Sequence, residues 1–132
     1  MRVLALDYGS ARCGCAVSDR TGVLATPIEP VLRPRTRAGL KRLQALVRER
    51  AVELVLVGLP LSLSGGDSAQ TTETRAFAAT LERELSVPVE LHDERFTTRL
   101  AARSGGGTSE DSRAAAHLLE SWLSSRETAV GE

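Results

Sequence analysis

An α/β fold, with a mixed five-stranded sheet flanked by helices, is what this sequence predicts, and three observations point to it. Three strand-like segments, Val3–Asp7, Cys13–Ser18 and Leu24–Ile28, follow one another across short turns at Gly9 and Arg20-Thr21-Gly22, the pattern of an antiparallel meander. Two more, Leu54–Val57 and Val87–Leu91, each follow a stretch with helical spacing, which marks strands reached by a crossover and running parallel to their neighbours. Residues Val3–Leu6 and Leu54–Val57 are apolar without alternation, as strands covered on both faces are.

Taken in order, the first strand delivers a carboxylate, Asp7, to its end before the chain turns. A charge there is costly to desolvate unless it is paired or holds a metal, so Asp7 requires a partner. Cys13 and Cys15 share one face of the second strand. That spacing is poor for a disulfide, and C-x-C without further ligands is a weak zinc site, so both read as small buried hydrophobes. Pro27, Pro30 and Pro34 make an extended exit from the third strand. Thr36 then caps a helix with Leu40, Leu43, Val47 and Ala51 at helical spacing.

The fourth strand ends at Gly58-Leu59-Pro60, which with Gly65-Gly66 reads either as a phosphate contact through backbone amides or as a plain strand–helix turn. No Lys-Ser/Thr follows, so it is not a P-loop. Asp67, with Gln70 three residues on, predicts the cap of a second helix lined by Phe77, Leu81 and Leu85. After the fifth strand come the segment HDERFTT, a short helix from about Thr98 and the loop SGGGTSE. A last helix carries Ala115, Leu118, Leu119, Trp122 and Leu123 on one face. One domain is expected over 1–125, with a frayed tail over 126–132.

Composition narrows the function. The chain has 132 residues, 42% apolar and 26% charged, enough for one core and ordinary for a soluble globular protein. It lacks the run of roughly 18 apolar residues that a membrane span needs, and Asp7 interrupts any signal-peptide pattern, so a cytoplasmic protein is expected. The formal charge is zero but unevenly spread: residues 1–50 hold ten Arg/Lys and four Asp/Glu, and residues 51–132 hold seven and thirteen. Seven of the basic residues fall between Arg33 and Arg50. A basic patch beside an acidic site suits an enzyme acting on a polyanion, while a solvated helix face explains the patch equally well. The candidate nucleic-acid contacts are Arg12, Arg33, Arg35, Arg37, Lys41, Arg42 and Arg95. His92, His117, Trp122 and Phe77 read as surface or structural side chains.

Three acids carry the chemistry. Asp7 ends the first strand, and Glu94 lies just beyond the fifth, at the same sheet edge if those strands are parallel. Asp111 begins the last helix in register with Ala115, Leu118 and Trp122, which turns it toward the sheet. Singly, each has an ordinary explanation: a turn for Asp7, pairing with Arg95 or Arg99 for Glu94, the helix dipole for Asp111. Together they do not. Two carboxylates ~4 Å apart repel by about 4 kcal/mol at an effective dielectric of 20, so three require cations or protons. All-oxygen donors suit Mg²⁺ or Mn²⁺, and two such ions activate a water and stabilise the leaving oxygen of a phosphodiester.

With those residues in view the chain resembles the YqgF family, also called RuvX, whose members are ribonuclease H-like and described both as Holliday junction resolvases and as nucleases that mature the precursor of 16S ribosomal RNA. The resemblance runs from about Val3 to Leu123, through LDYGSARCGCAVSD, LATPIEPV, VLVGLPLSLSGG with Gln70, HDERFTT and DSRAAAHLLESWL. It implies a ribonuclease H-like fold and a nuclease site of Asp7, Glu94 and Asp111, acting as catalytic and metal-holding residues with Mg²⁺ or Mn²⁺, two ions. The chain departs from the family where SGGGTSE replaces a longer, often basic loop, which shifts the expected grip on substrate to Arg33–Arg50. The expected substrate is RNA, with branched DNA as the alternative, and a monomer is favoured because no exposed apolar helix face demands a dimer. Two other classes stay open: a nucleic-acid-binding module with a vestigial site, and a nucleotide-binding regulator of the actin and sugar-kinase type. The second of these requires a further domain that 132 residues do not contain.

Overall fold

The two apolar segments without alternation occupy the middle of the sheet. A computed structural model describes residues 1–61, 66, 68–94 and 110–130, with side chains in the last helix as far as Arg126. Its strands are β1 (Val3–Asp7), β2 (Arg12–Ser18), β3 (Ala25–Leu32), β4 (Leu54–Leu59) and β5 (Val89–Asp93). Its helices are α1 (Arg37–Glu49), α2 (Ala69–Glu84) and α3 (Glu110–Val130). The strand order is β3-β2-β1-β4-β5. β1–β2 and β2–β3 are antiparallel, and β1–β4 and β4–β5 are parallel, as the meander and the crossovers required.

Period-2 alternation divides the sheet between two cores. Leu4, Leu6, Tyr8, Cys13, Cys15, Val55 and Val57 face α1 and α2, where Leu43, Val47, Phe77 and Leu81 complete the packing. Val3, Ala5, Ala16, Leu54 and Leu56 face α3 and meet Ala115, Ala116, Leu118, Leu119 and Trp122. The two cysteines are thus free and buried, as read. Among the described residues no helix is long and apolar enough to cross a membrane.

Several boundaries differ from expectation. β3 runs on to Leu32 through Pro27 and Pro30, which an edge strand tolerates because its outward amides have no ladder partner. Cys13 opposes Val31 and Cys15 opposes Ile28, so Pro30 falls in a bulge. Thr36 does cap α1, its Oγ1 accepting from the Gly39 amide at 3.1 Å. Ala51, however, lies beyond that helix, exposed and at φ 52°, so it lines no inner face. The cap of α2 is Ser68, one residue after the expected Asp67: its Oγ accepts from the Thr71 amide at 3.2 Å. Thr71 in turn donates to the Pro60 carbonyl at 2.7 Å, tying α2 to the end of β4. β5 begins two residues later than read, and α3 continues to Val130, through part of the segment expected to fray. Asp67, Arg95, Thr97 and the short helix from Thr98 lie outside the described residues.

Candidate active site

The site begins where β1 ends. Asp7 is paired with Gly14 of β2, and because Leu6 pairs with Val57, the next position of β4, Gly58, lies on its other side. Alternation from Val3 and Ala5 places Asp7, Gly14 and Gly58 on the α3 face. A half-buried aspartate therefore stands between two strand glycines, and what covers the glycines defines the site.

Over Gly14 lies the first turn of α3. A Cβ added to Gly14 would overlap the Asp111 carbonyl oxygen and crowd the Ser112 amide. Ser112 is fully buried and its Oγ accepts from the Cys15 amide at 3.2 Å, which fixes the start of α3 on β2. Over Gly58 lies Glu94, whose Oε1 would be 2.5 Å from an added Cβ, with Leu118 Cδ2 at 3.0 Å on the same side. Glycine within a strand often marks a close approach of backbone or ligand, and here it does so twice. Together the two glycines admit Asp111 and Glu94 to either side of Asp7.

Asp7 ends β1, Glu94 follows β5 and Asp111 lies in the first turn of α3, and two details differ from the reading of the sequence. Asp111 is half-exposed, its side chain 43% accessible, so the residue turned fully inward in that first helical turn is Ser112. The stripe through Ala115 and Leu118 does pass through Asp111, but Ser112 takes the inward position of that turn and solvent reaches the carboxylate. Gly58, read as part of a turn, is inside β4. Neither glycine was recognised as a cradle, although an isolated glycine in a strand pattern was the available signal.

Arg12, which opens β2, holds its Nε 3.8 Å from Asp111 Oδ2. The Cys13 thiol, buried on the opposite face, is pushed well above its ordinary range, chiefly by its hydrogen bond with Cys15 and by burial. Asp7 and Asp111 add to that rise, so both aspartates act on one point of β2. His92, paired with Gly58 across β4–β5, has its Nε2 3.3 Å from Ser121 Oγ, and burial lowers its pKa. It ties β5 to α3.

The basic residues divide. The Arg33 amide donates to the Ala11 carbonyl at 2.9 Å, which brings Arg33 to the turn between β1 and β2, at the end of the sheet that carries Asp7. Arg35 reaches the Tyr8 hydroxyl, which also donates to Glu73 Oε1 at 3.1 Å while its ring stacks on Phe77. α1 runs away from this end on the opposite face from the acids, with Arg37, Lys41 and Arg42 exposed along it and Arg42 3.6 Å from Glu49.

An all-oxygen donor set suits Mg²⁺ or Mn²⁺. Among the described residues no three His, Cys, Asp or Glu side chains converge closely enough to form a finished metal site, so a cation would have to draw the carboxylates together.

Comparison with known proteins shows the family and the fold. The family profile described as "RuvX: Holliday junction resolvase" matches residues 1–125. A protein of Koribacter versatilis, provisionally named a pre-16S rRNA nuclease, is 45% identical over 77% of this chain and 67% of its own. A protein of the same name from Rhodococcus erythropolis is 39% identical over 98% of this chain and 81% of its own. Among solved structures, RuvC of T. thermophilus in complex with a Holliday junction superposes with a TM-score of 0.65, covering 97% of this chain and 96% of that one at 16% identity, which establishes a shared ribonuclease H-like fold.

Proposed function

We propose, from the premise that this chain belongs to the RuvX family of nucleases, that it is a divalent-metal-dependent phosphodiesterase of the cytoplasm whose substrate is the precursor of 16S rRNA. The observation that carries the reading is the pair of strand glycines, which set Asp111 and Glu94 on either side of Asp7. Asp7, Glu94 and Asp111 would hold two Mg²⁺ or Mn²⁺ ions. When bound, such ions supply an activated water and stabilise the leaving oxygen.

The chain's own residues supply position. The buried Ser112–Cys15 bond fixes Asp111, and the β1 ladder fixes Asp7. Arg12 and Arg33 stand at the same sheet end and suit phosphate contacts; Arg35, Arg37, Lys41 and Arg42 extend a basic track around the edge onto the other face, and Arg95 follows Glu94 directly in sequence. RNA bound by both acids and track must wrap the end of the sheet. One domain acting as a monomer would suffice for a single-strand cut.

The names of the curated relatives favour precursor rRNA, and the description of the family profile favours a four-way DNA junction. Side-by-side assays of purified protein with Mg²⁺ or Mn²⁺ on both substrates decide between them, with Asp7→Asn as the control. Metal-dependent cleavage of the RNA, absent in the control, is the expected result. Cleavage of the junction alone would transfer the assignment to resolution. Binding without cleavage of either would make the chain a nucleic-acid-binding module.

A further inference from the structure

We propose that Arg12 is an exchangeable counter-ion of this site, held by Asp111 before a divalent cation arrives and passed to a substrate phosphate once the cation takes the carboxylate. The assignment deepens the nuclease reading and rests on it. Arg12 Nε is 3.8 Å from Asp111 Oδ2, an oxygen of one of the three proposed metal donors. A guanidinium and a metal ion both draw on the same carboxylate, so binding of one weakens the other. Both side chains are about half exposed, 58% and 43%, so water, cation and phosphate can all reach the pair. A pair so exposed is weak, which is what an exchange requires.

The surroundings limit what can move. On one side of Arg12, the Ala11 carbonyl accepts from the Arg33 amide. On the other, Gly14 lies under the Asp111 backbone and the Cys15 amide donates to Ser112. The backbone on both sides is pinned, so the motion left to Arg12 is a swing of its side chain away from Asp111. A guanidinium, with five donors in a planar fork, fits a phosphate as well as a carboxylate. Its release adds a cation to the sheet end that already carries Arg33, while the carboxylates become available to metal.

Calorimetric titration with Mn²⁺ tests the first half. Arg12→Gln should tighten Mn²⁺ binding about two- to five-fold, the range expected for loss of one exposed ion pair. In the Asp111→Asn background the same substitution should change nothing. Lys41→Gln removes an equal charge away from Asp111 and controls for the general field. Binding of an RNA oligonucleotide tests the second half: Arg12→Gln should weaken it and reduce the salt slope by about one. Unchanged or weaker Mn²⁺ binding in Arg12→Gln, a gain that persists without the Asp111 carboxylate, or RNA binding indifferent to Arg12 would each overturn the exchange. Failure of the parent protein to bind Mn²⁺ at all would remove the metal-dependent reading together with this one. Mn²⁺ bound with no response to Arg12→Gln would remove this one alone.

Discussion

Two aspartates close the two ends of the β1–β2 pair, and different parts of the chain come to each. Asp19, just past β2, belongs to its own turn. Its Oδ2 accepts from the Thr21 hydroxyl at 2.6 Å, and its Oδ1 accepts from the Val23 and Leu24 amides at 2.8 and 3.1 Å. Those hydrogen bonds, the Thr21 hydroxyl first, lower its pKa to about 2. Gly22, at φ 74°, closes the turn by donating its amide to the Asp19 carbonyl. Asp7 stands at the far end between Gly14 and Gly58, with Asp111 and Glu94 brought in above them. One carboxylate is surrounded by donors a few residues away in sequence. The other shares its end of the sheet with two more carboxylates delivered by β5 and α3. Donors turn an acid into part of the scaffold, whereas three acids at one sheet end supply the oxygen donors of the proposed metal site.

The widest separation between the two ends should come from matched substitutions. Asp7→Asn preserves shape and removes charge from the proposed metal site, so cleavage should fall by about a thousand-fold or more, roughly 4 kcal/mol of transition-state stabilisation, with the melting temperature unchanged or raised. Asp19→Asn should leave cleavage at the parent level. Parent-level cleavage by purified Asp7→Asn would erase the distinction.

Next in size are the glycines. Gly14→Ala forces a methyl group into the Asp111 carbonyl, which is backbone and can yield only if the start of α3 moves. Overpacking of this kind costs about 1–3 kcal/mol, and cleavage should be lost with it. Gly58→Ala meets the Glu94 side chain and, at 3.0 Å, the buried Leu118 methyl; no backbone stands in the way, and the half-buried Glu94 side chain can turn aside. Its stability should change by under about 1 kcal/mol, within the range of mild volume changes, while cleavage should drop about ten-fold as Glu94 is displaced. Denaturant unfolding and single-turnover assays on the same preparations give both quantities. Equal loss of stability in the two variants would mean that Glu94 is held as rigidly as backbone.

The mixed sheet and the orientations of its strands were legible because continuous apolar runs, short turns and helical spacers encode them directly. The acids were legible in part for the same reason: Asp7 ends a run that must be buried, and Asp111 sits in register with a buried stripe. What escaped was three-dimensional. That Ser112 and not Asp111 takes the inward position depends on how the first turn of α3 seats on Gly14 and Cys15, and no periodicity reports that. The move of the α2 cap from Asp67 to Ser68 is a choice between adjacent side chains with similar propensity, decided by Thr71 bonding to Pro60 across to β4. The basic segment illustrates the limit most clearly. Its charge was evident, but its position on the face opposite the acids follows from the crossover and not from composition.

The smallest expected effect concerns Asp19 and pH. Its carboxyl titrates at about 2 in the folded chain, against roughly 3.9 for an unperturbed aspartate. A folded-state pKa below the unfolded one means that the charged form is favoured by folding. The resulting stabilisation is present above about pH 4 and is lost as pH falls toward 2. The carboxylate lies at the surface, so the effect is read as a difference between two curves. The unfolding midpoint of the parent should decline more steeply between pH 4 and 2 than that of Asp19→Asn, which keeps an acceptor for the two amides but has no charge to titrate. NMR titration of the Asp19 carboxyl offers a direct check. A midpoint near 3.9 would show that the turn does not hold this acid, and the contrast between the two ends of the sheet would then rest on Asp7 alone.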